Sequence, residues 1–160
     1  NLKKFISVSS AEDMYQAVIS NLDENDAVIK SAAVADYKPK TYSDNKIKKK
    51  DGDLVIELDR NKDIAYEIGK IKKDKILVGF AAETNDIIEN AKGKIAKKNM
   101  DFIVANNLKE SGAGFGTDTN IVSIIEKDGS MKEYPMMTKE EVASVILDKI
   151  KTLLDNKSSL

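Results

Sequence analysis

The chain has no cysteine, no histidine and no tryptophan, and Arg60 is the only arginine among its 26 basic residues. Without cysteine and histidine there can be no thiolate nucleophile, disulfide or structural zinc site, and no Ser-His or Cys-His constellation. Bidentate arginine clamps are almost equally excluded, so a bound phosphate would rest on lysine ammonium groups and backbone amides. Charge of one sign is also lacking. The formal net charge of −1 gives no global field for a polyanion, and nucleic acid is not an expected partner. No apolar run is long enough to span a membrane and the start is not a signal peptide, so the chain reads as cytoplasmic with no membrane partner. An oxygen-ligated Mg²⁺ carried mainly by a polyphosphate stays open.

What is present suits one globular domain: 160 residues, 41% hydrophobic and 33% charged, with no internal repeat and no dividing linker. Phe5–Val8 reads as a short strand. Ser10 then caps a helix over AEDMYQAVISNL, with Asp13 in the capping-box position. DAVIKSAAVAD is an apolar run of strand length. Tyr37–Asn45 holds Pro39 and reads as a loop. Apolar and polar residues alternate on both sides of Asp51-Gly52, predicting a hairpin inserted at about 46–58. A short helix, DIAYEIGKIK, starts near Asn61 or Asp63. KILVGFAA is a second buried strand, followed by a helix capped by Thr84, and DFIVANN is a third. The glycine-rich loop at 112–116 leads into NIVSIIEK, and Asp128-Gly129 turns the chain into an antiparallel edge pair. Thr138 and Glu141 form a second capping box for the last helix. Val142, Val145, Ile146, Ile150 and Leu153 share one of its faces, and a frayed tail is expected from about 155 to 160. Alternating strands and helices predict a Rossmann-like, mostly parallel α/β sheet with flanking helices.

In such a sheet ligands bind beyond the carboxyl ends of the strands. The first end, Ser31 to Tyr37, has alanines, among them Ala32, that let a flat ligand approach the backbone. Asp36 is either an acceptor for a sugar hydroxyl, a cytosine amino group or a hydrated metal, or an ordinary turn aspartate. Phe80 at the second end is either a surface for a base or a core aromatic. Lys46, Lys48 and Lys50 share one hairpin face, where edge lysines also protect against aggregation. Lys94 and Lys98, four apart, lie on one helix face as either a solvated pair or an anion clamp. The helix start at Lys62, Asp63, Ile64 and Ala65 offers free N–H groups. There is no Walker A sequence and no G-x-G-x-x-G opening a helix.

Taken in order, AAVADY, K-I-K-K, N-x-D-I, GFAAET, K-x-x-x-K-N-x-D-F-I-V-A-N-N and GFGTDTN resemble phosphopantothenoylcysteine synthetase from about Ala11 to Leu154. In bacteria this enzyme is usually the C-terminal half of a bifunctional flavoprotein. The resemblance implies CTP-dependent ligation of 4′-phosphopantothenate with cysteine, in coenzyme A biosynthesis. The substrate carboxylate attacks the α-phosphate of CTP and releases pyrophosphate. Cysteine's amine then displaces CMP from the acyl-cytidylate. Related eukaryotic enzymes use ATP. The resemblance places Ala32, Asp36 and Phe80 at the nucleotide and the amides of Lys62, Asp63, Ile64 and Ala65 at phosphate. It places Lys46 on a catalytic flap, and Lys94 and Lys98 at the phosphates. It also implies Mg²⁺, a homodimer, and FMN only in a fused phosphopantothenoylcysteine decarboxylase half.

Two departures accompany it. Lys62 stands where the family usually has proline. The family's opening glycine-rich strand–loop and its Ser-Asn…Ser-Ser-Gly-Lys-Met-Gly region, whose asparagine acts on the acyl-cytidylate, have no counterpart here. The expectation is therefore a CTP-binding, dimer-forming part of the synthetase that is inactive alone. The alternative is a nucleotide-binding, dimer-forming module without catalysis.

Overall fold

Period-2 apolar runs and period-3.6 apolar faces divide this chain into three layers. A computed structural model describes residues 3–48, 53–83, 87–107 and 118–158. Among these, β1 (Ala27–Lys30), β4 (Ile76–Glu83), β5 (Phe102–Asn107), β7 (Val122–Glu126) and β8 (Met131–Glu133) form one sheet in that spatial order. β1, β4 and β5 run parallel, while β7 and β8 are added antiparallel. Two two-stranded ribbons accompany it: β2 (Tyr37–Pro39) with β3 (Leu58–Arg60), and β6 (Thr119–Asn120) with β9 (Met137–Thr138). The mostly parallel α/β sheet and the antiparallel edge pair match the sequence reading.

Helices cover both faces. Leu77, Ala81, Ile103, Ala105 and Ile125 point to the face occupied by α1 (Ala11–Asn21), α2 (Ile64–Ile71) and α3 (Ile87–Lys98). Ile76, Val78, Phe102, Val104, Val122 and Ile124 point to the opposite face, where α4 (Lys139–Ser158) lays down Val142, Ile146 and Ile150. Alternate residues of each strand feed alternate layers, as the pleat requires. The helix starts follow local chemistry. Ser10 and Asp13 form the reciprocal capping box of α1. Thr138 accepts from Glu141 N–H at 3.2 Å while the Glu141 carboxylate accepts from Thr138 N–H at 2.8 Å. The Asp63 carboxylate accepts from Tyr66 N–H at the start of α2.

Four expectations are corrected. Phe5–Val8 is not a strand, and Phe5 is 84% exposed; no described strand pairs with it, and an apolar tetrapeptide without a ladder does not hold extended geometry. Tyr37–Pro39 is a strand rather than loop. Its ribbon has only two strands, so a proline without N–H is tolerated there, and the ladder continues with Lys40 N–H donating to Glu57 O. Among the described residues, the hairpin alternation over 46–58 gives backbone pairing only at its end, through Glu57 O and β3 at Leu58–Arg60. Residues 46–48 and 53–57 are irregular, and the Asp51-Gly52 turn, Lys50, the Thr84 cap and the 112–116 loop lie outside the described residues. Finally, α4 continues to Ser158, where Lys157 Nζ donates to the Asp74 carbonyl at 2.8 Å.

Two contacts fix the elements that carry the strand ends. A Cβ on Gly69 of α2 would lie 2.0 Å from the Lys98 carbonyl oxygen, so only glycine lets α3 end against α2. Asn99, in the left-handed region at φ 50, donates its side-chain amide to Gly69 O at 3.0 Å. At the opposite end of the sheet, Asp101 Oδ2 accepts from Leu77 N–H and from Lys72 Nζ, each at 2.8 Å. Lys72 also donates to Lys75 O at 2.9 Å. Its side chain is only 4% exposed and that of Asp101 11%. Replacing Asp101 with Ala leaves that buried ammonium without its carboxylate, so a loss of about 3–5 kcal/mol is expected. Lys72→Met should lose less, because it keeps most of the volume and Asp101 retains Lys127 and Lys157 at 3.8 Å. Urea denaturation compares them, and an Asp101→Ala midpoint equal to wild type would refute the role given to this pair.

Candidate functional site

The carboxyl ends of β1 and β4 and the start of α2 come together on the α1–α3 face. After Lys30 the chain leaves the sheet through Ser31–Asp36 and enters the ribbon. Asn61, just before α2, stitches this segment down: its side-chain amide donates to Ala35 O at 2.9 Å and its backbone N–H to Asp36 O at 2.8 Å. The sequence alone showed Asn61 only as a possible helix start. Its larger part is to hold the AAVADY segment against the first turn of α2. Ala32 and Asp36 are both exposed, which leaves the small residue and the carboxylate accessible.

At α2 the side chains of Ile64 and Ala65 are buried, so only their backbone amides are available to a ligand. Asp63 stands between two duties. One carboxylate oxygen caps Tyr66 N–H at 3.1 Å, and the other accepts from Lys98 Nζ at 2.8 Å. Burial pushes this carboxyl up. The hydrogen bonds from Lys98 and Tyr66 and the charges of Lys98 and Lys30 outweigh it and hold the group below the usual aspartate range. The stability from this pairing is therefore full above the unfolded aspartate value and fades as pH falls through the depressed one. Lys98 packs its backbone on Gly69 and sends its ammonium to the other end of the same helix.

The remaining residues named from sequence divide clearly. Lys94 lies exposed on α3, one turn before Lys98. Lys62 turns toward α1, where it pairs with Glu12 at 2.8 Å and sits 4.3 Å from the centroid of the Tyr15 ring. That hydrogen bond to Glu12 raises the Lys62 ammonium above the ordinary lysine range. Phe80 points to the opposite face of the sheet and packs, partly buried, with the α4 core, not beside Lys98. Lys46 and Lys48 are exposed on irregular chain beyond the ribbon.

A groove of about 480 Å³ runs along β1 beside α1 and ends at Ala32 and Ile64. Lys30 lines it. That lysine is half-buried at the end of an otherwise apolar strand, and sequence reasoning passed over it. The available signal was a charge interrupting DAVIKSAAVAD at the end where ligands bind. Among the described residues no group of three or more Asp or Glu side chains gathers to hold a metal, and no helix is long and apolar enough to cross a membrane.

The chain is similar in sequence and fold to known proteins. The chain is 55% identical over 152 residues to the Coenzyme A biosynthesis bifunctional protein CoaBC of Bacillus subtilis (strain 168), covering 95% of this chain and 37% of that protein. It is 49% identical over 150 residues to a Cysteine/Cysteine sulfinic acid decarboxylase from an unknown prokaryotic organism, covering 93% of this chain and 42% of that protein. The chain thus spans well under half the length of these relatives. Among solved structures, the C-terminal domain of a Coenzyme A biosynthesis bifunctional protein CoaBC superposes with a TM-score of 0.76 at 44% identity, over 94% of this chain and 68% of that one. The family model for the DNA/pantothenate metabolism flavoprotein C-terminal domain matches residues 2–154. With the family model matching residues 2–154 and a relative 55% identical over 95% of this chain, the chain belongs to the DNA/pantothenate metabolism flavoprotein C-terminal domain family.

Proposed function

We propose that this chain is the CTP-binding part of a phosphopantothenate–cysteine ligase of coenzyme A biosynthesis, in a protein fused to phosphopantothenoylcysteine decarboxylase. The observation that carries the reading is the meeting of the AAVADY strand end with the start of α2, stitched by Asn61 and joined by Lys98. An accessible carboxylate at Asp36, the backbone amides of the α2 start and Lys98 support a nucleotide's sugar and phosphates as the ligand, in a chain whose relative is named for coenzyme A biosynthesis.

In this reading 4′-phosphopantothenate attacks the α-phosphate of CTP through its carboxylate. Pyrophosphate leaves, and the amine of cysteine displaces CMP to form the amide. The chain contributes position and charge rather than acid–base chemistry. Asp63 keeps capping Tyr66 through one oxygen while phosphate competes with the other for Lys98. The amides of Ile64 and Ala65 donate to the same phosphate. Asp36 meets the base or ribose, and Lys46 approaches over the leaving phosphates. Magnesium would supply counter-charge on the phosphates. In this reading the nucleotide itself holds most of the ion, with Asp36 the accessible carboxylate nearby. FMN belongs to the fused decarboxylase half.

Incubating this chain with CTP, Mg²⁺, 4′-phosphopantothenate and cysteine should yield no amide. Adding the family's opening segment, with its asparagine, should restore both pyrophosphate and amide. In the restored reaction Lys46→Gln is expected to lower turnover about 10²-fold or more, as for loss of one preorganised donor, while Lys48→Gln changes it little. Amide formation by the chain alone would overturn this division of roles, and equal losses at the two lysines would overturn the assignment of Lys46.

CTP should bind more tightly than ATP because the small strand end at Ala32–Asp36 suits a pyrimidine. Calorimetry on wild type and Asp36→Ala should show that preference and then its loss; equal affinities in the wild type would sink it. A homodimer is part of the same reading. Val55, 82% exposed, and Leu54 and Ile56 beside it form an apolar run for a second copy to cover. Sedimentation should give about twice the 17.7 kDa chain mass, and a monomer at high concentration would rule the homodimer out.

A further inference from the structure

Among the described residues, the surroundings of Lys30 ask for an anion that the chain itself does not provide. It ends β1, paired in register with Gly79 of β4. It shares a face with Val28, which packs on the α1–α3 core. Its stem lines the groove that ends at Ala32 and Ile64, so its ammonium is carried toward the start of α2. Three charged groups act on it there: Lys98, Asp63 and Asp36. Asp63 is already committed to Lys98 at 2.8 Å and to Tyr66 N–H at 3.1 Å. Among the described residues Lys30 forms no hydrogen bond or ion pair.

A half-buried ammonium beside a second ammonium is unfavourable unless negative charge is shared between them. Burial, followed by the charge of Lys98, pushes Lys30 below the ordinary lysine range, and Asp63 and Asp36 do not fully compensate. The two lysines arrive from different elements, one from a strand end and one from the last turn of a helix. They therefore converge without the flexibility of neighbours on a single loop. Two ammonium groups flanking a helix start, in a chain with a single arginine, form a fork that an arginine would otherwise supply.

We propose that Lys30 is a second phosphate-binding residue of this site, pairing with Lys98 around the phosphate chain of a nucleoside triphosphate. This rests on the nucleotide-binding reading above and adds a residue to it. Phosphate takes the ammonium of Lys98 from Asp63 and at the same time gives Lys30 its missing partner. A shared anion thereby offsets the repulsion between Lys30 and Lys98.

The test uses CTP, tripolyphosphate and cytidine as separate probes in calorimetry. Lys30→Met should weaken CTP and tripolyphosphate about tenfold, the scale of one charge-assisted hydrogen bond, and leave cytidine unchanged. Lys30→Arg should retain most of the affinity. A second readout needs no variant. Amine acetylation of the wild-type chain, followed by peptide mass, should slow at Lys30 with saturating CTP and not with cytidine. CTP and tripolyphosphate affinities unchanged in Lys30→Met, a cytidine loss as large as the CTP loss, or acetylation of Lys30 untouched by CTP would each overturn the proposal. If the wild-type chain binds neither CTP nor tripolyphosphate, the nucleotide-binding reading falls and Lys30 with it. If wild type and Lys30→Met bind CTP alike, only the role of Lys30 falls.

Discussion

Asp101 holds the start of β5 against the start of β4, and most of the sheet is organised from that point. Its carboxylate accepts from Leu77 N–H and Lys72 Nζ, and its own N–H donates to Leu77 O at 2.8 Å. Lys72 follows α2, so a single carboxylate sets where two parallel strands begin and where a helix stops. Parallel strands have no tight turn to fix their register; here a buried ion pair does that work. Burying two charges carries a desolvation penalty that the Coulomb attraction offsets only when the other polar atoms are satisfied. Lys75 O, Leu77 N–H and the more distant Lys127 and Lys157 provide that satisfaction.

With the strand starts fixed at one end, the other end inherits its geometry. β4 and β5 are in register from Val78–Phe102 to Glu83–Asn107, and β1 follows β4 from Ala27–Ile76 to Lys30–Gly79. The strand ends therefore arrive together beside α2, whose position is set by Gly69 against Lys98 and by Asn61 against Ala35 and Asp36. The end of the sheet opposite the groove uses its charges on each other, while the groove end keeps the exposed carboxylate of Asp36 and, among the described residues, leaves Lys30 without a hydrogen bond or ion pair.

Much of this was legible in the residue pattern. β4 and β5 are continuous apolar runs, as strands covered on both faces must be. The capping boxes at Ser10 and Thr138 declare themselves at three-residue spacing. What escaped the pattern was non-local. Phe5–Val8 reads as a strand by composition, but pairing depends on a neighbour that no local pattern reveals. Pro39 reads as a breaker, although a two-stranded ribbon accepts it. The side chain of Lys62 reaches Glu12 and Tyr15 of α1, contacts from fifty and forty-seven residues away that no local pattern reveals. Phe80 sits at the expected strand end but on the face opposite Lys98, a parity that becomes certain only when the layers are known.

Gly69 carries an implication for altering this protein. Glycine inside a helix is ordinarily a place to gain stability by substituting alanine, through intrinsic propensity of about 1 kcal/mol. At Gly69 that reasoning reverses, because the new methyl group would occupy the space of the Lys98 carbonyl. Relief would require α3 to slide away from α2, taking with it the lysine that reaches Asp63. The packing of α3 on α2 and the ion pair between Lys98 and Asp63 are thus tied to one missing side chain, and sequence drift at position 69 is constrained from two directions at once.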